Sequence, residues 1–149
     1  MDIRKMTRED IGQLAELEKQ CFSEPWSMAA FEYELKNPLS LWLVCVADGK
    51  VLGYVGSQSV LPEADMMNVA VHPAYRKQGI AKALILHLTT LLKWQGVAEI
   101  SLEVRASNAS AISLYEKLGF SQVGRRPNYY RHPKEDALIY RKELSECVY

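Results

Sequence analysis

Apolar residues recur along this chain in two rhythms, one near 3.6 positions and one of 2, and the switches between them outline the fold. A short strand is expected near Ile3 to Met6. Thr7 then stands where an N-cap belongs, with Asp10 three positions on reaching back as in a capping box. Ile11, Leu14, Ala15 and Glu18 follow at helical spacing, the apolar members on one face, and this helix is predicted to run to about Cys21. Glu24-Pro25-Trp26-Ser27 breaks it. Ser27 caps a second helix carrying Phe31 and Leu35, which stops before Asn37-Pro38.

Leu39 to Ala47 and Lys50 to Ser59 are rich in β-forming residues and are separated only by Asp48-Gly49. That pair suits a two-residue type I′ hairpin turn, in which both central residues need positive φ. Met66 to Val71 is the next predicted strand, ended by His72-Pro73. Beyond Gly79, the residues Ala81, Leu84, Ile85, Leu88, Leu91 and Leu92 mark one face of a long helix that Gly96 closes. Glu99 to Arg105 alternates, with Ile100, Leu102 and Val104 on one side and Ser101, Glu103 and Arg105 on the other. Asn108 caps a short helix with Ala111, Leu114, Tyr115 and Leu118 on its stripe, ended by Gly119. Two last strands, about Phe120 to Gly124 and Ala137 to Leu144, are predicted to flank a polar and aromatic loop, and the last five residues to fray. A long helix between two strands is the crossover that joins parallel neighbours. The fold class is therefore α/β, a mixed central sheet of about six to seven strands with flanking helices and one parallel seam. Ligands favour the opening at strand C-termini where such a seam parts.

With 149 residues the chain reads as a single domain, 1–149, able to bury roughly 70% of its unfolded surface without a metal or disulfide staple. Apolar residues make up 48% and charged ones 24%, the balance of a soluble globular domain. Lys plus Arg (18) equals Asp plus Glu (18), and zero net charge removes the overall attraction expected of a nucleic-acid binder. No apolar run reaches the ~18 residues of a membrane span, and Met1 to Met6 lacks the apolar core of a signal peptide. Cys21, Cys45 and Cys147 are odd in number and far apart, which fits a reducing, cytoplasmic setting. His72, His87 and His132 show no metal-ligand spacing, so no metal is expected.

Arg76-Lys77-Gln78-Gly79-Ile80-Ala81 lies between a strand end and a long helix start. The first-turn N–H groups of that helix, aligned with its dipole, make an anion site. Gly79 allows close approach to the backbone, and Arg76, Lys77 and Lys82 add positive charge. A solvated basic helix start with a turn glycine is the plainer reading of the same residues. The chain holds no G-x-x-x-x-G-K-[ST] and no G-x-G-x-x-G, which excludes a P-loop and a dinucleotide fingerprint. The basic strand–loop–helix setting still favours a polyphosphate ligand.

Val69-Ala70-Val71-His72-Pro73 followed by Arg76-x-x-Gly79-x-Ala81 resembles the acetyl-CoA motif of the Gcn5-related N-acetyltransferase (GNAT) family. Asn108-x-x-Ala111-x-x-x-Tyr115-x-x-x-Gly119-Phe120 resembles that family's next motif, at the expected distance. The resemblance covers essentially the whole chain. Pro25-Trp26-Ser27, Asn68-Val69-Ala70-Val71, Glu103 and Asn128-Tyr129-Tyr130 most resemble the RimI type, the ribosomal-protein alanine N-acetyltransferases. The resemblance implies the GNAT fold, acetyl-CoA as co-substrate, and the N-terminal peptide of a small-subunit ribosomal protein as partner and acceptor. It also implies that Val69, Ala70 and Val71 bind the pantetheine arm through their backbone. Lys77, Gln78, Gly79, Ile80, Ala81 and Lys82 would hold the pyrophosphate, and Asn108 would touch the cofactor further along.

Acetyl transfer needs a neutral amine, a held thioester and protonation of the departing thiolate. The resemblance gives the first task to Glu103 and the last to Tyr115. An ordinary carboxylate (pKa ~4.3) taking a proton from an α-ammonium (pKa ~7.8) works roughly 5 kcal/mol uphill, so such a base is raised by its surroundings or relays through water. The plainer readings are an exposed strand carboxylate paired with Arg105 or a neighbour, and a stripe aromatic in the core. Trp26, Tyr33, Tyr129, Tyr130 and Arg131 are candidates for lining the acceptor groove. Two alternatives share the pocket, a lysine or small-molecule amine acetyltransferase and a non-catalytic CoA-binding module. Binding alone needs neither Glu103 nor Tyr115.

Overall fold

The computed structural model describes residues 1–144. The expected fraying of the last five residues, and Cys147 with it, lies outside them. Strand β1 (Asp2–Lys5) leads to a short 3-10 turn at Arg8–Asp10 and helix α1 (Ile11–Cys21). The Thr7–Asp10 capping box forms on that turn, with Asp10 Oδ2 accepting the Thr7 N–H at 2.8 Å. Helix α2 (Met28–Lys36) starts at Ser27, whose Oγ accepts the Ala30 N–H at 3.2 Å. β2 (Ser40–Ala47) and β3 (Lys50–Val60) make the expected hairpin, with φ of 50° at Asp48 and 75° at Gly49 as the I′ turn demands. Then come β4 (Glu63–Val71), α3 (Ile80–Trp94), β5 (Glu99–Arg105), α4 (Ala109–Lys117), β6 (Ser121–Arg131) and β7 (Lys134–Glu143).

All of these strands form one 7-stranded sheet in the order β1-β2-β3-β4-β5-β7-β6. Every pairing is antiparallel except β4 with β5, the seam that the α3 crossover predicts. On one face, Leu84, Ile85, Leu88 and Leu92 of α3 pack on Leu43, Val55, Ile100 and Leu102, with the α4 stripe partly buried beside them. On the other, Ile11, Leu14, Leu17 and Phe31 of α1 and α2 pack on Trp42, Val44 and Tyr54. Glu34 is the polar hub of this second layer. It is 4% exposed, and its carboxylate accepts from Ser40 Oγ (2.7 Å), Trp42 Nε1 (3.3 Å) and Gln58 Nε2 (2.8 Å), so the buried charge is met by three donors on two adjacent strands.

Two strand boundaries differ from the sequence expectation. β4 begins at Glu63 rather than Met66. The stretch expected as a polar and aromatic loop is instead the continuation of β6 and β7, which pair from Ser121↔Arg141 to Arg131↔Lys134 around bulges. β6 is an edge strand exposed on most of its length, so backbone bonds to β7, and not burial of an apolar face, hold it extended.

Candidate active site

The seam between β4 and β5 is short. Glu63–Met66 pairs with Glu99–Leu102, and there the ladder ends. The cause lies on the opposite edge of β4, where Met66 faces Ser57 and Val69 faces Val55, so that Met67 and Asn68 stand against Gly56 alone. Such a bulge increases local twist and bends its strand. Past it, β4 leaves β5, and Glu103–Arg105 pairs only with Ala137–Ile139 of β7. The sheet therefore forks, and the side of Met67–Val71 that faces β5 carries no strand partner.

The fork opens into a cleft of ≈ 980 Å³ whose far end meets α3. Val71 passes into His72, whose Nδ1 accepts the Ala74 N–H at 3.1 Å, and then into the basic loop. Lys77 (φ 63°) and Gly79 (φ 79°) both sit in the left-handed region, and Gly79 is the helix N-cap. With no side chain to cap them, the first-turn N–H groups of α3 face the cleft mouth beside Lys77 and Lys82, an arrangement suited to phosphate oxygens.

Glu103 and Tyr115 enter the same cleft from β5 and α4. Glu103 is buried at Oε2, which accepts no hydrogen bond although Arg126 Nε lies 3.2 Å away, off the required alignment. The Tyr115 ring packs 5.9 Å from Phe120 while the side chain keeps part of its surface on the cleft. Burial, with Tyr130 as a lesser influence, pushes its hydroxyl up to about 12, so it is a phenol at neutral pH. Tyr130 is likewise pushed up to about 12, by burial first and then by the charge of Glu103. Asn108 caps α4, its Oδ1 accepting the Ala111 N–H at 3.2 Å, which leaves Nδ2 for other partners.

Of the residues expected to hold the cofactor, Val69, Ala70, Val71, Lys77, Gly79, Ile80, Ala81, Lys82 and Asn108 all line the cleft, whereas the Gln78 side chain is exposed outside it. Of the expected acceptor residues, Trp26 and Tyr130 line it and Tyr33, Tyr129 and Arg131 do not. Tyr33 is 69% exposed on α2. Arg105 supports Tyr130 from below, its guanidinium 4.3 Å from the ring centroid and its Nη1 donating to Pro133 O at 2.9 Å. Trp26 is seated by Phe31 and Trp42, with ring centroids 5.5 and 5.2 Å away. Glu18, Phe22, Ser23, Glu24, Asn68 and His132 also line the cleft and were not expected there. For Glu18 a signal existed, a carboxylate in register with the apolar stripe of α1.

Residues 11–120 match the family described as the acetyltransferase (GNAT) family. The chain belongs to that family. A relative of this acetyltransferase in Bacillus subtilis (strain 168) is 39% identical over 145 residues, 97% of this chain and 96% of its own length. The [ribosomal protein bS18]-alanine N-acetyltransferase of Escherichia coli (strain K12) is 38% identical over 145 residues, 96% of this chain and 97% of that one. The crystal structure of the ribosomal-protein-S18-alanine N-acetyltransferase from Escherichia coli superposes with a TM-score of 0.90 at 37% identity, covering 99% of this chain and 96% of that one. Ard1 from Thermoplasma volcanium superposes at 0.89 with 25% identity, covering 97% and 98%. Among the described residues of this GNAT chain, no helix is long and apolar enough to cross a membrane.

Proposed function

We propose that the chain, acting as one N-acetyltransferase domain, transfers the acetyl group of acetyl-CoA to the N-terminal α-amine of an alanine-first protein, ribosomal protein bS18. The observation that carries this reading is the fork between β4 and β5. It ends on the uncapped first turn of α3 and holds Glu103 and Tyr115 within one cleft. The acceptor identity is supported by relatives of nearly full length that are named for bS18 alanine.

In this reading the backbone of Val69–Val71 takes the amides of pantetheine in place of the missing strand, and the turn from Lys77 to Lys82 takes the pyrophosphate. The acceptor enters between the segment after α1 and the β6–β7 turn, past Trp26 and Tyr130. Glu103 draws one proton from the α-ammonium through water. The neutral nitrogen then forms the C–N bond, and the C–S bond breaks to release the CoA thiolate. Tyr115, at about 12, is roughly 5 kcal/mol too weak an acid to protonate a thiolate of pKa ~8.5 outright. It acts as a fixed hydrogen-bond donor to the sulfur as charge develops, and the second amine proton balances the thiol.

An N-terminus is the acceptor easiest to use. About 14% of an α-amine of pKa ~7.8 is neutral at pH 7, against ~0.04% of a lysine of pKa ~10.4. The test is incubation with acetyl-CoA and two peptides, one beginning with alanine and one with a blocked N-terminus and an internal lysine. Mass spectrometry is expected to find the acetyl group on the alanine. Acetylation of the lysine alone contradicts the reading.

A further inference from the structure

We propose that Glu18 is a positioning residue for the acceptor: it fixes the side-chain amide of Asn68 so that Asn68 Oδ1 is presented to the incoming nitrogen. This rests on the function proposed above and extends it at the acceptor end of the same cleft.

Glu18 is 0% exposed and sits on the face of α1 that otherwise buries Ile11, Leu14 and Leu17. Its Oε1 accepts the Trp26 N–H at 2.9 Å and its Oε2 accepts an Asn68 Nδ2–H at 3.3 Å. Among the described residues no cationic side chain lies within ion-pair distance of it. Burying a carboxylate on two neutral donors is costly, and a leucine would complete the apolar stripe at no such cost. What the carboxylate does to its two partners is the distinctive consequence of having it there, and both partners line the cleft.

An amide beside an anion has one allowed orientation. The NH2 must face the carboxylate, because the flipped form would set two oxygens together. Asn68 Oδ1 is therefore left for another donor. Asn68 is half-buried in the β4 bulge at the point where β4 leaves β5, on the same wall as the Val69–Val71 backbone. An acceptor nitrogen is an N–H donor before and after it loses its proton. A neutral carbonyl oxygen can hold it through both states, whereas a second carboxylate in contact would favour the unreactive ammonium. The Trp26 N–H, bound to the other oxygen, ties the segment between α1 and α2 to the same anion.

The test is steady-state kinetics with acetyl-CoA and an alanine-first peptide on the wild type, Glu18→Gln, Asn68→Ala and the double variant. Each single change is expected to raise the peptide KM about tenfold, one hydrogen bond's worth of binding, while the KM for acetyl-CoA stays within about twofold. The double variant is expected to be no worse than Asn68→Ala, because both changes remove one contact. Calorimetry with CoA reports whether each variant keeps its fold. If Glu18→Gln loses CoA binding, Asn68→Ala and Asn68→Leu carry the test, and both must raise the peptide KM. An unchanged peptide KM, equal rises in both KM values, or additive losses in the double variant overturn the assignment while leaving the function intact. A wild-type chain that acetylates no peptide N-terminus overturns both.

Discussion

Ser23 Oγ donates to the carbonyl of His132 at 2.8 Å, joining segments 109 residues apart across the cleft. Glu24 Oε1 stands 3.3 Å from Nε2 of the same histidine. The strap links the segment after α1 to the β6–β7 turn, the two rims between which the acceptor passes in the proposed function. Ser23→Ala is expected to raise the peptide KM a few-fold and leave CoA affinity unchanged, since one exposed neutral hydrogen bond contributes about 1 kcal/mol. Steady-state kinetics with each substrate varied in turn checks this.

Tyr115→Phe removes the only polar atom of that side chain and keeps its packing on Phe120. Turnover is expected to fall roughly a hundredfold or more, the effect of losing one donor to developing charge, while calorimetry finds CoA binding nearly intact. Turnover within a factor of two of the wild type would remove Tyr115 from the chemistry.

Glu103→Gln keeps the shape of the side chain and removes its capacity to take a proton. The expected outcome is a rate loss of about 10²-fold or more together with a changed pH profile of kcat/KM, because the route for deprotonating the amine is gone. A slow variant with an unchanged profile would make Glu103 a binding group instead.

Much of this was legible in the sequence, and what was not has physical causes. The caps at Ser27 and Asn108 and the Asp48-Gly49 turn are local chemistry, so their residues announce them. The α3 crossover and the Lys77–Lys82 turn follow from periodicity and glycine placement. The fork is different. It depends on a bulge between β3 and β4 that shows only when two strands are set side by side. The β6–β7 ribbon was missed because alternation reports burial of one face, and residues 125–131 of β6 are almost wholly exposed. A register shift between Arg126 and Tyr130 takes up Pro127 and Asn128, which reads along the chain as a loop. The rim proposed for the acceptor is expected from four aromatic residues and Arg131; of these Trp26 and Tyr130 line the cleft, while Ser23, Glu24 and His132 carry no signal along the chain because their meeting is purely tertiary.

Acid stability tests the N-terminal anchor. Burial alone would raise the Asp10 carboxyl, but hydrogen bonds from Arg4 (2.7 and 2.9 Å) and Thr7 outweigh it and hold the pKa below the ordinary value. A depressed folded-state pKa gives stability that is complete above the unfolded value near ~3.9 and disappears as pH falls through the folded value. Urea midpoints measured below pH 4 should therefore drop more steeply for the wild type than for Asp10→Asn, which starts less stable at pH 7. Parallel curves would contradict the assignment.

The central claim is that the fork and the first turn of α3 together receive CoA. Amide hydrogen exchange with and without saturating CoA reads those backbone groups directly. The account predicts slowed exchange concentrated in Met67–Val71 and in the segment from Lys77 to Lys82, with little change in β1 or β2. Unchanged exchange in both segments, at CoA concentrations where calorimetry shows the ligand bound, would contradict it.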